Sequence, residues 1–287
     1  MKILMTGANG YVGGGLMKYL RSEEDTVIPV GFDIKDESDN AHDLDLTDLT
    51  KTSLYLKDVR PDVIIHLAGN KDVSRCESDK AFSRRINYEV SRNIVEQCLS
   101  KKIRLIYIST DYVFNGVDVP FNELSHPRPA TQYGKDKLAA EDLIRATLSD
   151  HAIIRTAGIF GLNKDFVETV IKTLKQRSKF QAYTNLKNSP TFIKDLSLML
   201  HAVIIKRHIG TFHCAGSESI SRYDFAVKVS EAFGLEKSLV VPACLDTSSD
   251  IRPPDLSMDC ISTYRTLGCC PKRIGEILRL NRDIWMD

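Results

Sequence analysis

The sequence predicts an α/β protein, a doubly wound parallel sheet followed by a smaller C-terminal lobe, and three observations predict it. Short β-branched runs alternate with amphipathic helical stretches through the first half of the chain, the pattern of parallel strands joined by crossover helices. The first run leads straight into a glycine-rich turn that opens a helix, a Rossmann-type arrangement. The length, 287 residues, exceeds one typical domain and falls short of two, which leaves room for a large core and an attached lobe.

Taken in order, residues 2–6, 26–33, 63–68, 103–109 and 151–156 read as buried strands. Between them, residues 13–22, 78–99 and 133–149 carry apolar side chains at helical spacing. Right-handed crossovers turn such a series into a doubly wound sheet. After Arg155 the alternation loosens: residues 165–179 read as a helix, 184–190 as a turn-rich stretch and 193–206 as a further helix. A strand around 210–214 returns to the sheet, and residues 223–233 with the C-terminal residues complete the lobe. The reading is an NAD(P)-binding Rossmann domain at 1–157, with a return segment at about 191–214, and a substrate-binding lobe at 158–287.

Hydrophobic content of 43%, charged content of 27% and a net charge of +1 describe an ordinary globular protein. They offer no electrostatic reason to expect nucleic acid or an anionic membrane as partner. The apolar run after Met1 reaches Gly7 too soon for a signal peptide and reads as a buried strand. No segment approaches the roughly 18 consecutive apolar residues of a membrane helix, so a cytoplasmic protein is expected. Seven cysteines, with no Cys-x-x-Cys pair and no matching histidine spacing, are expected to be reduced and structural, and no metal is implied.

Thr6-Gly7-Ala8-Asn9-Gly10-Tyr11-Val12-Gly13 has glycines at spacing G-x-x-G-x-x-G between the first strand and the first helix. Gly7 allows a sharp turn, Gly10 lets backbone approach a pyrophosphate, and Gly13 lets helix and strand pack closely, while unpaired N–H groups face the phosphates. The whole turn, Asn9, Tyr11 and Val12 included, is assigned to the cofactor. Asp33 ends the second strand about 20 residues after the turn, where a carboxylate accepts from the adenosine ribose hydroxyls. That favours NAD(H), because a 2′-phosphate would meet a negative charge, but Lys35 offsets the repulsion and leaves NADP(H) open. Asp43 and Leu44 follow in the stretch 42–46; Asp43 is in reach of the adenine amino group, with a solvated loop acid as the alternative.

Tyr133-Gly134-Lys135-Asp136-Lys137 sets a phenol and an ammonium four residues apart, on one face of the helix that starts there. A phenol of pKa about 10 is a poor acid–base group at neutral pH, but an adjacent Lys⁺ and a positively charged nicotinamide both favour phenolate. Tyr133 can then exchange a proton with a substrate oxygen while hydride moves at the neighbouring carbon. Ser109-Thr110-Asp111 lies at the C-terminal end of a strand, where open parallel sheets bind ligands. Thr110 is expected to hydrogen-bond the substrate carbonyl, with helix capping as the alternative. A water held by Asn87 would extend a proton relay from Lys137.

Several stretches carry a resemblance: Asp62-Val63-Ile64-Ile65-His66-Leu67-Ala68-Gly69, Ser109-Thr110-Asp111-Tyr112-Val113-Phe114 and Tyr133-Gly134-Lys135-Asp136-Lys137-Leu138. Ser189-Pro190-Thr191 leading to Asp195-Leu196, and Arg252-Pro253 leading to Ser257-Met258, extend it. Through them the chain resembles the extended short-chain dehydrogenase/reductases over nearly its whole length, and within that group the dTDP-4-dehydrorhamnose reductases. The resemblance implies NAD(P)H-dependent reduction of a nucleotide-linked 4-keto-6-deoxysugar, by Thr110, Tyr133 and Lys137 as a catalytic triad. It also implies that Ala68 and Gly69 contact the cofactor, that Thr110 and Asp111 meet the substrate, and that Arg252 grips a diphosphate with its forked guanidinium. A homodimer is compatible with it.

Where such reductases commonly have tryptophan after the Arg-Thr that ends the fifth strand, this chain has Gly158, which cannot stack on a sugar ring. The sister 4,6-dehydratases follow Thr-Asp with glutamate, and here Tyr112, a poor base, stands in that place. The 4-epimerases use the same Tyr and Lys with tightly held NAD. The regulatory subunit of methionine adenosyltransferase resembles the same reductases, so a non-catalytic dinucleotide-binding module is the reading of another class.

Overall fold

The computed structural model describes residues 1–20, 26–31, 42–246 and 250–286. In chain order these form β1 (Lys2–Thr6), α1 (Tyr11–Leu20), β2 (Thr26–Gly31), β3 (His42–Asp43), α2 (Leu49–Val59), β4 (Val63–His66), α3 (Val73–Ser78) and α4 (Lys80–Arg84). One π-helical turn, Arg85–Glu89, leads into α5 (Val90–Lys101), β5 (Arg104–Thr110), α6 (Gln132–Thr147) and β6 (His151–Thr156). Next come β7 (Ile159–Phe160), α7 (Phe166–Lys175), β8 (Phe180–Tyr183), β9 (Lys187–Asn188), β10 (Thr191–Phe192), α8 (Ile193–Ile205) and β11 (Gly210–His213). The chain ends with β12 (Ile220–Ser221), α9 (Arg222–Phe233), β13 (Val240–Ala243), β14 (Asp255–Leu256), α10 (Ile261–Leu267) and α11 (Ile274–Leu280).

The described residues fall into two compact units. The first, residues 1–113, 129–155 and 200–212, is built on a sheet of order β11-β6-β5-β4-β1-β2-β3. β1 pairs in parallel with β2 on one side and β4 on the other, and β4 pairs in parallel with β5. After β3 the chain returns to the far side of β1, so the strand order reverses between β1 and β4. A crevice at such a switch point, outside the carboxyl ends, is where open α/β sheets bind ligands. β4 and β5 are buried throughout, as expected of parallel strands covered on both faces. Leu4, Val30, Ile64, Ile94, Leu105 and Ile153 belong to one apolar core cluster.

The predicted strands recur close to their expected bounds, whereas the helix expected at 78–99 is subdivided. Asp79 accepts from the Phe82 N–H at 2.9 Å and starts a new helix there, and the π turn interrupts it again before α5. Helix α2 escaped the sequence reading because only Thr52 and Leu56 are buried on it, so its apolar stripe is thin. Asp48 caps it, accepting from the Lys51 N–H at 3.0 Å.

The second unit comprises residues 114–128, 156–199 and 213–287. β9 pairs in parallel with β14 and antiparallel with β12, and β8 pairs in parallel with β13. Trp285 donates its ring N–H to Asp165, whose carboxylate also caps α7 by accepting from the Glu168 N–H at 2.8 Å.

Candidate active site

The carboxyl ends of β1, β4 and β5 lie side by side in the first unit, and each releases a loop that contributes to the site. The turn after β1 is pressed against the loop after β4. Gly7 has φ +70°, and a Cβ there would stand 2.9 Å from the Ala68 nitrogen; a Cβ on Gly13 would stand 2.3 Å from the Gly7 carbonyl oxygen. A side chain at Gly7 would push the turn away from the loop after β4, and one at Gly13 would push the helix off its own turn. The Asn9 amide packs on Gly31 so tightly that a Cβ there would lie 2.4 Å from its nitrogen.

A cavity of about 470 Å³ opens over this turn, lined by Gly7, Asn9, Gly10, Ala68 and Gly69 among the residues the sequence singled out. Leu67, from the same motif as Ala68 and Gly69, also lines it, together with Asn70, Arg75, Phe82, Ile86 and Val90, which no sequence motif marked. Bare backbone from two loops beside a helix N-terminus suits a phosphate-bearing dinucleotide, so the residues fit such a cofactor. Leu44 packs in the apolar core cluster, and its N–H bonds the Gly31 carbonyl at 3.3 Å. Asp33 and Lys35 lie outside the described residues, as does the side chain of Asp43, whose backbone closes β3.

Helix α6 begins against the end of β5. The Thr131 hydroxyl caps it by accepting from the Gly134 N–H at 3.1 Å, and a Cβ on Gly134 would lie 2.1 Å from the Tyr112 carbonyl oxygen. Only glycine lets the first turn sit so close, and this brings Tyr133 to the strand end. The Thr110 hydroxyl donates to Asp111 Oδ1 at 3.0 Å and accepts from the Tyr112 N–H at 3.2 Å. Burial raises the Tyr133 hydroxyl well above the usual phenol range; the nearby Thr110 hydroxyl opposes this and the Asp111 carboxylate adds to it.

Lys137, one turn further, is buried with its ammonium 2.7 Å from the Ile108 carbonyl oxygen and 4.0 Å from the centre of the Tyr107 ring. Burial pushes it down to about 7, against the pull of Glu141. Burial thus opposes the phenolate that the sequence reading expects beside Lys137. Enclosure disfavours the charged forms of both groups.

Glu141 stands one further turn along α6, where i+4 spacing from Lys137 was the available signal. It accepts from the Ser109 hydroxyl of β5 at 2.6 Å and from two Arg155 nitrogens of β6 at 3.1 and 2.7 Å. Burial alone would raise this carboxyl, but the Arg155 hydrogen bonds and charge hold it below its ordinary value. His66, beneath, is pushed down to about 3 by burial and then by Lys137, and joins Thr6 to Ser91 as a neutral ring.

Asn87 sits in the π turn and holds the loop after β4: its carbonyl oxygen accepts from the Asn70 N–H at 2.8 Å, and its amide nitrogen donates to Ser83 and Cys76. These bonds use the amide that the sequence reading assigned to a water.

In the second unit, the two later motif segments meet, because Ser189 Oγ accepts from the Met258 N–H at 3.0 Å. Arg252 forks onto Asp250, with Nε and Nη2 at 2.9 and 2.6 Å from its two oxygens. A Cβ on Gly158 would lie 3.0 Å from the Asn188 amide nitrogen and 3.5 Å from Arg222 Nη2, so those side chains flank the place of the family tryptophan. All seven cysteines are free thiols. Among the described residues no group of three or more His, Cys, Asp or Glu side chains is arranged to hold a metal ion, and no helix is long and apolar enough to cross a membrane.

The family model described as the RmlD substrate binding domain matches residues 1–274. The chain is 28% identical over 291 aligned residues to methionine adenosyltransferase 2 subunit beta of Pongo abelii, spanning 96% of this chain and 85% of the relative. A dTDP-4-dehydrorhamnose reductase structure from Clostridium acetobutylicum superimposes with a TM-score of 0.89 at 29% identity, covering 100% of both chains. The Bacillus anthracis dTDP-4-dehydrorhamnose reductase in complex with NADP does so at 0.87 and 28%, covering 98% of both.

Proposed function

The chain belongs to the RmlD substrate binding domain family, and from that premise we propose that it reduces a nucleotide-linked 4-keto-6-deoxysugar at the expense of NADH or NADPH. The observation that carries this reading is the place of Tyr133 in the first turn of α6, pressed against the end of β5 where Gly134 meets the Tyr112 carbonyl, with Lys137 one helical turn away. A bound reduced nicotinamide supplies the hydride. The turn Gly7–Gly13 and the Ala68–Gly69 loop hold the dinucleotide. Thr110 orients the keto oxygen, and Tyr133 protonates it. A phenol held protonated by burial is suited to donation, which is what reduction of a ketone asks of it. Lys137, fixed by the Ile108 carbonyl, keeps the helix face and its proton beside the phenol. Asp111 and Arg252 are proposed to contact the substrate, Arg252 through its diphosphate after exchanging Asp250 for phosphate oxygens.

The test mixes purified protein with a panel of nucleotide 4-ketosugars and follows reduced-cofactor absorbance. Stoichiometric loss with one sugar, cut about 10²- to 10⁴-fold by Tyr133→Phe, is expected. Isomerised sugar without cofactor loss would make the protein an epimerase instead. A second reading, a dinucleotide-binding subunit of a larger enzyme, is favoured by the similarity to methionine adenosyltransferase 2 subunit beta. It predicts no hydride transfer to any sugar and co-purification with a larger enzyme.

A further inference from the structure

Arg75 projects from α3 and is the one charged residue among the described residues of the cavity lining, the others being glycines, amides and apolar side chains. Its guanidinium carbon lies 3.8 Å from the centre of the Phe82 ring, and both residues line the cavity. Among the described residues the guanidinium has no carboxylate partner and no hydrogen-bond acceptor, unlike Arg84, Arg92 and Arg145, which lie within 4 Å of acidic oxygens. Stacking on a ring face holds a guanidinium flat while leaving its in-plane donors available. A fork of donors held ready and unspent, facing backbone that accommodates phosphate, calls for an anion.

We propose that Arg75 grips the diphosphate of the dinucleotide held by the glycine turn. The inference rests on the dinucleotide reading above and adds to it a specific ion pair. The diphosphate is the anion in question because the cavity is lined by Gly7 and Gly10. The other candidate, the 2′-phosphate of NADPH, belongs beside the ribose at the end of β2, and comparing NADH with NADPH separates the two. Lys71, over the Tyr11 ring at 4.9 Å, adds positive charge nearby without entering the lining.

The experiment measures dissociation constants of NADH and NADPH by intrinsic fluorescence or calorimetry for the wild type, Arg75→Met and Arg75→Lys, with circular dichroism to verify the fold. Arg75→Met should weaken both dinucleotides alike, on the order of 10- to 100-fold for a lost charge-assisted fork. Arg75→Lys should fall between, because it keeps the charge and loses the fork. Unchanged affinities in a folded Arg75→Met overturn the proposal while leaving the dinucleotide reading standing. Weakening confined to NADPH overturns it in favour of 2′-phosphate recognition. A wild type that binds neither dinucleotide removes the underlying reading itself.

Discussion

Lys137 is an ammonium enclosed by protein, with one carbonyl oxygen and one aromatic face for company. Its folded-state pKa near 7 lies below the value of about 10.4 it recovers when the chain unfolds. Between those values the unfolded chain holds a proton that the folded protein does not, so this residue makes stability climb as pH rises from about 7 to about 10. Lys137→Met should therefore be more stable than the wild type at pH 7, by on the order of a few kcal/mol, and the two should converge toward pH 10. Parallel stability curves in urea titrations across that range would refute it. The spacing of Tyr133 and Lys137 was legible in the sequence, because four residues along a helix always share a face. What those groups do to each other was not legible, because pairwise spacing carries no information about how much water remains.

At the scale of elements, three pieces of the first unit are locked by one carboxylate. Glu141 of α6 binds Ser109 of β5 and Arg155 of β6, and all three are buried. Removing the charge strands the Arg155 guanidinium in a dry place, so Glu141→Gln should cost about 3–5 kcal/mol, read from equilibrium unfolding. A loss under about 1 kcal/mol would mean that water reaches Arg155. Strands β1, β4, β5 and β6 were readable from their apolar runs, since both faces of a parallel sheet are covered. Helix α2, the π turn and the short strands β7 to β10 were not. Their side chains are amphipathic over too few residues to show a period, and their pairing depends on partners distant in the chain, as Lys187 does on Asp255.

For the whole molecule, ligands that bind only the folded state raise its stability, by about 2.7 kcal/mol at a concentration one hundred times the dissociation constant. NADPH should therefore raise the melting temperature, and a nucleotide 4-ketosugar should raise it further in the presence of oxidised cofactor. A rise with the dinucleotide and none with any sugar would speak for the subunit reading. The sequence by itself determined the α/β class, the glycine turn after the first strand, and Thr110, Tyr133 and Lys137 as a group, because each follows from local spacing and strand order. Only the tertiary structure decided that Arg75 and Phe82 line the cavity, that Glu141 ties three elements together, and that Leu44 packs in the core. It also set the burial that shifts the phenol of residue 133 up and the amine of residue 137 down. The physical reason is that burial and dielectric are properties of everything folded around a group, and that sum exists only once the chain has closed on itself.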